Sequence, residues 1–150
     1  MKKSFISIEV MRPEHTKNLA EISRECFSEY WSQEAFLSEM SNKNSVTFVA
    51  VDEFSNAVGF INAHCILDEC FLNNIALYKK FQNQKIGQAL LDKLCEYAVC
   101  QKVLTITLEV RMSNENAKNF YYKNNFVKVG LRKEFYQNPT EDALLLTKVI

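Results

Sequence analysis

Glycine is nearly missing from this sequence. Gly59, Gly87 and Gly130 are the only three in 150 residues, about 2% against a usual share near 7%. Pro13 and Pro139 are the only prolines. There is no Gly/Ser-rich linker, low-complexity tract or internal repeat, so residues 1–150 read as one domain, at a length common for single domains. No apolar run approaches the roughly 20 residues of a membrane span. The opening MKKSFISIEV is basic but meets Glu9 before an apolar stretch of signal-peptide length, so the expectation is a soluble, cytoplasmic protein with no membrane partner. Net charge is missing too: 18 Lys+Arg face 18 Asp+Glu. That leaves no overall field for nucleic acid or an anionic membrane, and no basic face with interleaved aromatics stands out. Cys26, Cys65, Cys70, Cys95 and Cys100 form no CxxC pair, and neither His15 nor His64 has ligand spacing. No metal site is expected, and the cysteines read as reduced thiols filling apolar gaps.

What the chain does have is a globular balance of 47% apolar and 24% charged residues, in a length that can bury about 70% of its unfolded surface. Ile6, Ile8 and Val10 alternate with polar residues and predict a half-buried first strand. Pro13 suits the first turn of a helix carrying Leu19, Ile22, Cys26 and Phe27 on one face. Ser32 reads as the N-cap of a short second helix with Phe36, Leu37 and Met40 inward. Strands are expected over 45–52, 57–66 and 70–77, separated by acidic turns. The period then changes, and Ile86, Ala89, Leu90, Leu94 and Tyr97 fit a helix ending near Gln101. Residues 103–110 (VLTITLEV) predict a central strand. A helix over 115–124 and strands near 126–135 and 142–149 complete the order β-α-α-β-β-β-α-β-α-β-β. This is a mixed α/β (α+β) architecture: a mixed sheet with helices on both faces, antiparallel early and parallel across the 70–110 crossover.

Two segments carry candidate chemistry. Tyr78 to Gln88 enters a long helix directly after a strand, where unpaired N–H groups and the helix dipole suit an anion. Gly87 allows close approach, and Lys79, Lys80 and Lys85 add positive charge. The plain alternative is a solvated turn with a lysine rim. In the second segment, residues 108–122, Glu109 closes an otherwise apolar strand as either a solvated end charge or a base in a cleft. Ser113 or Asn114 can cap the next helix, and Tyr121 lies one turn beyond Ala117 on one face.

Together, and in this element order, the two segments resemble the GNAT family of acetyl-CoA-dependent N-acetyltransferases. The likeness covers nearly the whole chain and is nearest the ribosomal-protein alanine N-acetyltransferases, the RimI type. The family's pyrophosphate loop reads roughly Q/R-x-x-G-x-G/A. Here it is Gln82-Asn83-Gln84-Lys85-Ile86-Gly87, with Lys85 in place of the first glycine. Lysine keeps its own N–H, and only an obligatory positive φ there would disfavour it. The more specific passage, L-E-V-R-x-S-N-x-x-A-x-x-x-Y, stands intact from Leu108 to Tyr121. The resemblance implies Glu109 as general base, Tyr121 as general acid, and Asn114 as a coenzyme contact. It implies Ile75, Ala76 and Leu77 as the strand pairing with the pantetheine arm, and Asn83, Gln84, Lys85, Ile86, Gly87 and Gln88 as the pyrophosphate cradle. Trp31-Ser32 resembles the family's W-S near the acceptor. Phe135-Tyr136 and Glu141-Asp142-Ala143 resemble the last hairpin, which gates a peptide N-terminus. Asn125 stands where a glycine usually precedes Phe126.

The implied activity is transfer of acetyl from acetyl-CoA to the N-terminal α-amine of a protein, a ribosomal protein above all. A free α-amine is mostly ammonium at neutral pH, so a base is useful, and a phenol can serve the leaving thiolate. A backbone N–H of residues 72–77 can meet the oxyanion, with Asn73-Asn74 marking a bulge. No metal is required. Two other readings are a GNAT enzyme acetylating lysine, a polyamine or an aminoglycoside, and a non-catalytic acyl-CoA-binding module. Trp31 and Tyr136 speak against the first, and the Glu109/Tyr121 pair against the second.

Overall fold

Alternation at the start of the chain produces strand β1 (Ser7–Val10), whose Ile8 joins Ile6 against the core. The computed structural model describes residues 5–150, and the basic start of the chain, Met1–Ser4, lies outside them. Val10 does not turn inward as its alternation suggests. It is 63% exposed at the end of the outermost strand, which the helices cover only in part. Pro13 opens a 3-10 turn, Pro13–His15, leading into α1 (Thr16–Cys26), since proline's fixed φ and missing N–H suit a first turn. The Ser32 hydroxyl caps α2 (Gln33–Glu39), accepting from the Ala35 N–H at 3.1 Å. Of the three α2 residues expected inside, Phe36 is buried while Leu37 and Met40 face solvent. So short a helix has one narrow face on the sheet. Phe36 fills it, 5.0 Å from the Phe60 ring and 5.3 Å from that of Trp31.

The remaining elements are β2 (Ser45–Val51), β3 (Ala57–Ile66), β4 (Glu69–Leu77), α3 (Ile86–Cys100), β5 (Thr105–Arg111), α4 (Glu115–Lys123), β6 (Val127–Tyr136) and β7 (Glu141–Val149). This is the element order expected from the sequence. The strands form one seven-stranded sheet, β1-β2-β3-β4-β5-β7-β6. Its pairs are antiparallel except β4 with β5, which the α3 crossover makes parallel. Helices cover both faces. Leu19, Ile22 and Phe36 pack on Val49, Val51 and Phe60 on one side. Leu90, Leu91, Leu94 and Tyr121 pack on Phe48, Ile61, Leu72 and Ile106 on the other. Two-sided cover explains why β2 is buried at nearly every position rather than at every second one. Gly59 makes the β3–β4 approach possible, because a Cβ there would lie 2.2 Å from a Leu77 methyl and 2.9 Å from the Ala76 carbonyl oxygen. No helix among the described residues is long and apolar enough to cross a membrane.

Candidate active site

The site begins where the central ladder fails. β4 and β5 pair from Glu69↔Thr105 to Leu72↔Leu108 and no further. On the other side of β4, Leu72 faces Ala63 and Asn74 faces Asn62, so Asn73 is an extra residue, a β-bulge. A bulge bends and twists its strand, and β4 parts from β5 at this point. Asn62, fully buried on β3, pins the bulge. Its Oδ1 accepts from Asn73 Nδ2 at 2.9 Å, while its own amide donates to Thr47 Oγ1 at 2.8 Å and Glu39 Oε1 at 3.1 Å.

A cleft of about 660 Å³ opens between the parted strands. One wall is β4 from Phe71 to Ile75, and the other is β5 from Leu108 to Arg111 with Asn114, Ala117 and Tyr121 of the following turn and helix. The mouth is made by the α1–α2 connection, including Trp31, and by Arg132, Phe135 and Tyr136 of β6. Residues far apart in sequence thus meet: Trp31, Ile75, Glu109, Asn114, Tyr121 and Tyr136 all line one space. Asn114 caps α4, its Oδ1 accepting from the Ala117 N–H at 3.1 Å, which orients the helix that carries Tyr121. Tyr121 is held between Phe120 and Phe126, each ring 5.3 Å away. Burial, helped by nearby Tyr136, pushes its phenol well above the ordinary value. The Tyr136 phenol is pushed up to about 12, first by burial and then by the Glu109 charge.

Arg111 organises the mouth. Its guanidinium donates to the Gln137 carbonyl at 2.7 Å, the Pro139 carbonyl at 3.0 Å and Glu141 Oε1 at 3.3 Å, and lies 4.5 Å from the Tyr136 ring centre. Glu141 also accepts from the Ser113 N–H at 2.6 Å, and its pKa is lowered first by the Ser113 side chain, then by this N–H, with Arg111 adding to it. Glu109 itself is paired with Arg132, whose Nε lies 3.1 Å from Oε1. The sequence reading named neither arginine as functional. Arg111 sits in the specific passage already quoted, whereas a charge on an edge strand such as Arg132 reads as solvated.

The predicted anion loop lies outside this cleft, at the entry to α3. There is open space beside the loop, because a Cβ on Gly87 would meet only a Leu77 methyl, at 3.8 Å. Among the described residues, the N–H groups of residues 83–88 make no bond to another backbone group, while the helix begins with the Ala89 N–H donating to the Lys85 carbonyl. The Gln88 side chain is committed elsewhere, in a reciprocal pair with Asn124 at 2.7 and 3.0 Å that ties α3 to α4. Lys85 meets the one condition that disfavours it: it adopts positive φ, at 64°, and so does Asn125, at 68°. Both family glycines are therefore replaced at left-handed positions. That conformation costs an L-residue about 1–2 kcal/mol, less for asparagine, against roughly 0.4–1 kcal/mol for glycine's extra freedom when unfolded. Lys85→Gly should accordingly raise stability by about 0.5–1 kcal/mol in urea denaturation, and Asn125→Gly by less. A lowered midpoint for Lys85→Gly would show that the lysine side chain holds the turn.

A mixed sheet of this order, parted at its one parallel pair, is the fold of a GNAT N-acetyltransferase. The chain belongs to the acetyltransferase (GNAT) family, whose sequence model matches residues 16–126. It is 30% identical to the ribosomal protein bS18-alanine N-acetyltransferase of Escherichia coli K12, over 77% of this chain and 78% of that protein. The crystal structure of the ribosomal-protein-S18-alanine N-acetyltransferase from Escherichia coli superposes with a TM-score of 0.88 at 26% identity, covering 97% of this chain and 94% of the other. Ard1 from Thermoplasma volcanium shares the fold, with a TM-score of 0.89 at 23% identity and 97% of both chains covered.

Proposed function

We propose that this enzyme transfers acetyl from acetyl-CoA to the N-terminal α-amine of a protein, with a ribosomal protein of the bS18 kind as acceptor. The reading rests on one observation above all: Glu109 and Tyr121 face the same cleft at the parting of β4 from β5. The open space at Gly87 and the free N–H groups at the start of α3 suit the coenzyme's pyrophosphate. β4 beyond Leu72 has lost its β5 partner, so its main chain is available to the pantetheine amides and to the thioester oxygen. The acceptor enters between Trp31 and Tyr136 as an ammonium, and Glu109 takes its proton. The freed amine then attacks the thioester carbon, and as the C–S bond breaks the surplus proton on its nitrogen ends on the departing sulfur, giving the amide and CoA thiol. Burial keeps Tyr121 a phenol throughout the working range, so its O–H remains a donor to the departing sulfur. Its phenolate would be a stronger base than a free thiolate, whose pKa is about 8.5. The proton is therefore shared with the sulfur in a hydrogen bond as the C–S bond breaks, rather than surrendered early.

The test is acetyl-CoA turnover against peptides that differ only in residue one, with N-blocked and lysine-containing controls. Turnover should require a free α-amine. Activity that survives N-blocking but needs a lysine overturns the assignment. Tyr136→Ala separates acceptor from coenzyme: steady-state kinetics should show a raised peptide KM with the acetyl-CoA KM nearly unchanged. Equal loss of affinity for both substrates would indicate collapse of the β6–β7 hairpin.

A further inference from the structure

The two arginines at the mouth of the cleft are held very differently. Arg111 is bound on several sides, to two carbonyl groups, a carboxylate and the face of Tyr136. Arg132 is held by one ion pair, to Glu109, and by the face of Phe135 at 5.6 Å, and its side chain is 54% exposed while that of Glu109 is 10% exposed. They stand two strands apart. Glu109 lies opposite Leu145 and Arg132 opposite Ala143, so the register sets both on one face of the sheet. The pair runs diagonally across β7, and the Ala143 opposite Arg132 has too small a side chain to keep the guanidinium from reaching the carboxylate. The Arg132 guanidinium therefore occupies, with the same charge, the carboxylate that an acceptor's ammonium needs.

We propose that Arg132 is a displaceable mask on Glu109: it pairs with the carboxylate while no acceptor is present and swings to solvent when the α-ammonium arrives. This rests on the role given to Glu109 above. Two consequences follow from the chemistry. The acceptor binds in competition with an ion pair that is weak because one partner is half exposed, so the mask lowers apparent affinity only modestly. A carboxylate able to take a proton from an amine can also take one from water. The water oxygen would then bond to the thioester carbon as the C–S bond breaks, releasing acetate and CoA. Pairing with Arg132 holds that futile hydrolysis down between turnovers.

The experiment uses the full chain and compares Arg132→Gln and Arg132→Lys, each alone and combined with Glu109→Gln. Peptide KM and peptide-free CoA release, followed with a thiol reagent, are the readouts. Arg132→Gln should lower the peptide KM about two- to fivefold and raise CoA release by a similar factor, with acetyl-CoA KM unchanged. Arg132→Lys, which keeps the charge on a different head group, should fall between wild type and Arg132→Gln. In the Glu109→Gln background Arg132→Gln should change neither readout. A peptide KM that stays constant or rises on Arg132→Gln overturns the mask. The same effect with and without the Glu109 carboxylate overturns it too, because the guanidinium would then act elsewhere. Full turnover by Glu109→Gln alone is a separate result: it removes the base assignment, while the ion exchange is still judged by whether the KM effect needs the carboxylate.

Discussion

Glu109→Gln should lower kcat at pH 7 by about 10²–10⁴-fold, the usual worth of general acid–base help, and regain part of the loss as pH rises. Glutamine keeps the size and the hydrogen-bonding capacity of the side chain but cannot take the ammonium proton. Above the amine's pKa, near 8, the acceptor arrives already deprotonated, and the missing base matters less. Tyr121→Phe should lose activity on a similar scale without that recovery, because deprotonating the nucleophile does nothing for the departing sulfur. Both variants should stay folded. Neither removes a hydrocarbon group, and Tyr121 keeps its packing between Phe120 and Phe126. The measurement is kcat against pH for each, with thermal unfolding as the control. Near-full activity of a folded Glu109→Gln at pH 7 would reduce Glu109 to the counter-ion of Arg132.

Gly87→Pro should weaken acetyl-CoA binding by about 10–100-fold, read by isothermal titration. The substitution removes one N–H from the start of α3 and thrusts a ring toward the loop. A hydrogen bond to a charged group contributes about 1.5–3 kcal/mol, which is that range of dissociation constants. Proline is tolerated in the first turn of a helix, and the protein leaves room there, with only a Leu77 methyl nearby. Lys85→Gly should bind acetyl-CoA nearly as well as wild type, because its N–H survives. Abolition of binding by Lys85→Gly, with Gly87→Pro unaffected, would mean that a side chain holds the anion.

Most of the fold could be read along the chain, because each element announces itself locally. The apolar run in SVTFVAVD, the change of period after Gln84 and the cap residues Ser32 and Asn114 each depend on neighbours within a few positions. The exceptions are Val10, Leu37 and Met40, whose exposure depends on what lies over them. A helical or alternating pattern says which residues share a face, not whether that face is covered to its end.

The site divides in the same way. Glu109, Asn114 and Tyr121 were singled out through the family resemblance of the Leu108–Tyr121 passage, which one strand, one turn and one helix bring to one cleft, and the bulge at Asn73 was foreshadowed by two asparagines in an apolar strand. The positive φ of Lys85 and Asn125 was not, since lysine and asparagine do not advertise the left-handed region as glycine does. Nor was the partnership of Arg132 with Glu109, which needs β7 inserted between β5 and β6 in one particular register. Sequence alone determined the order of elements and the spacing of Glu109, Asn114 and Tyr121 along the strand–helix passage, because these are set by contacts a few residues apart. The parting of β4 from β5, the placing of Trp31 and Tyr136 on one cleft and the pairing across β7 were decided only by tertiary structure. They are long-range juxtapositions, created by strand order and register, which no local pattern encodes.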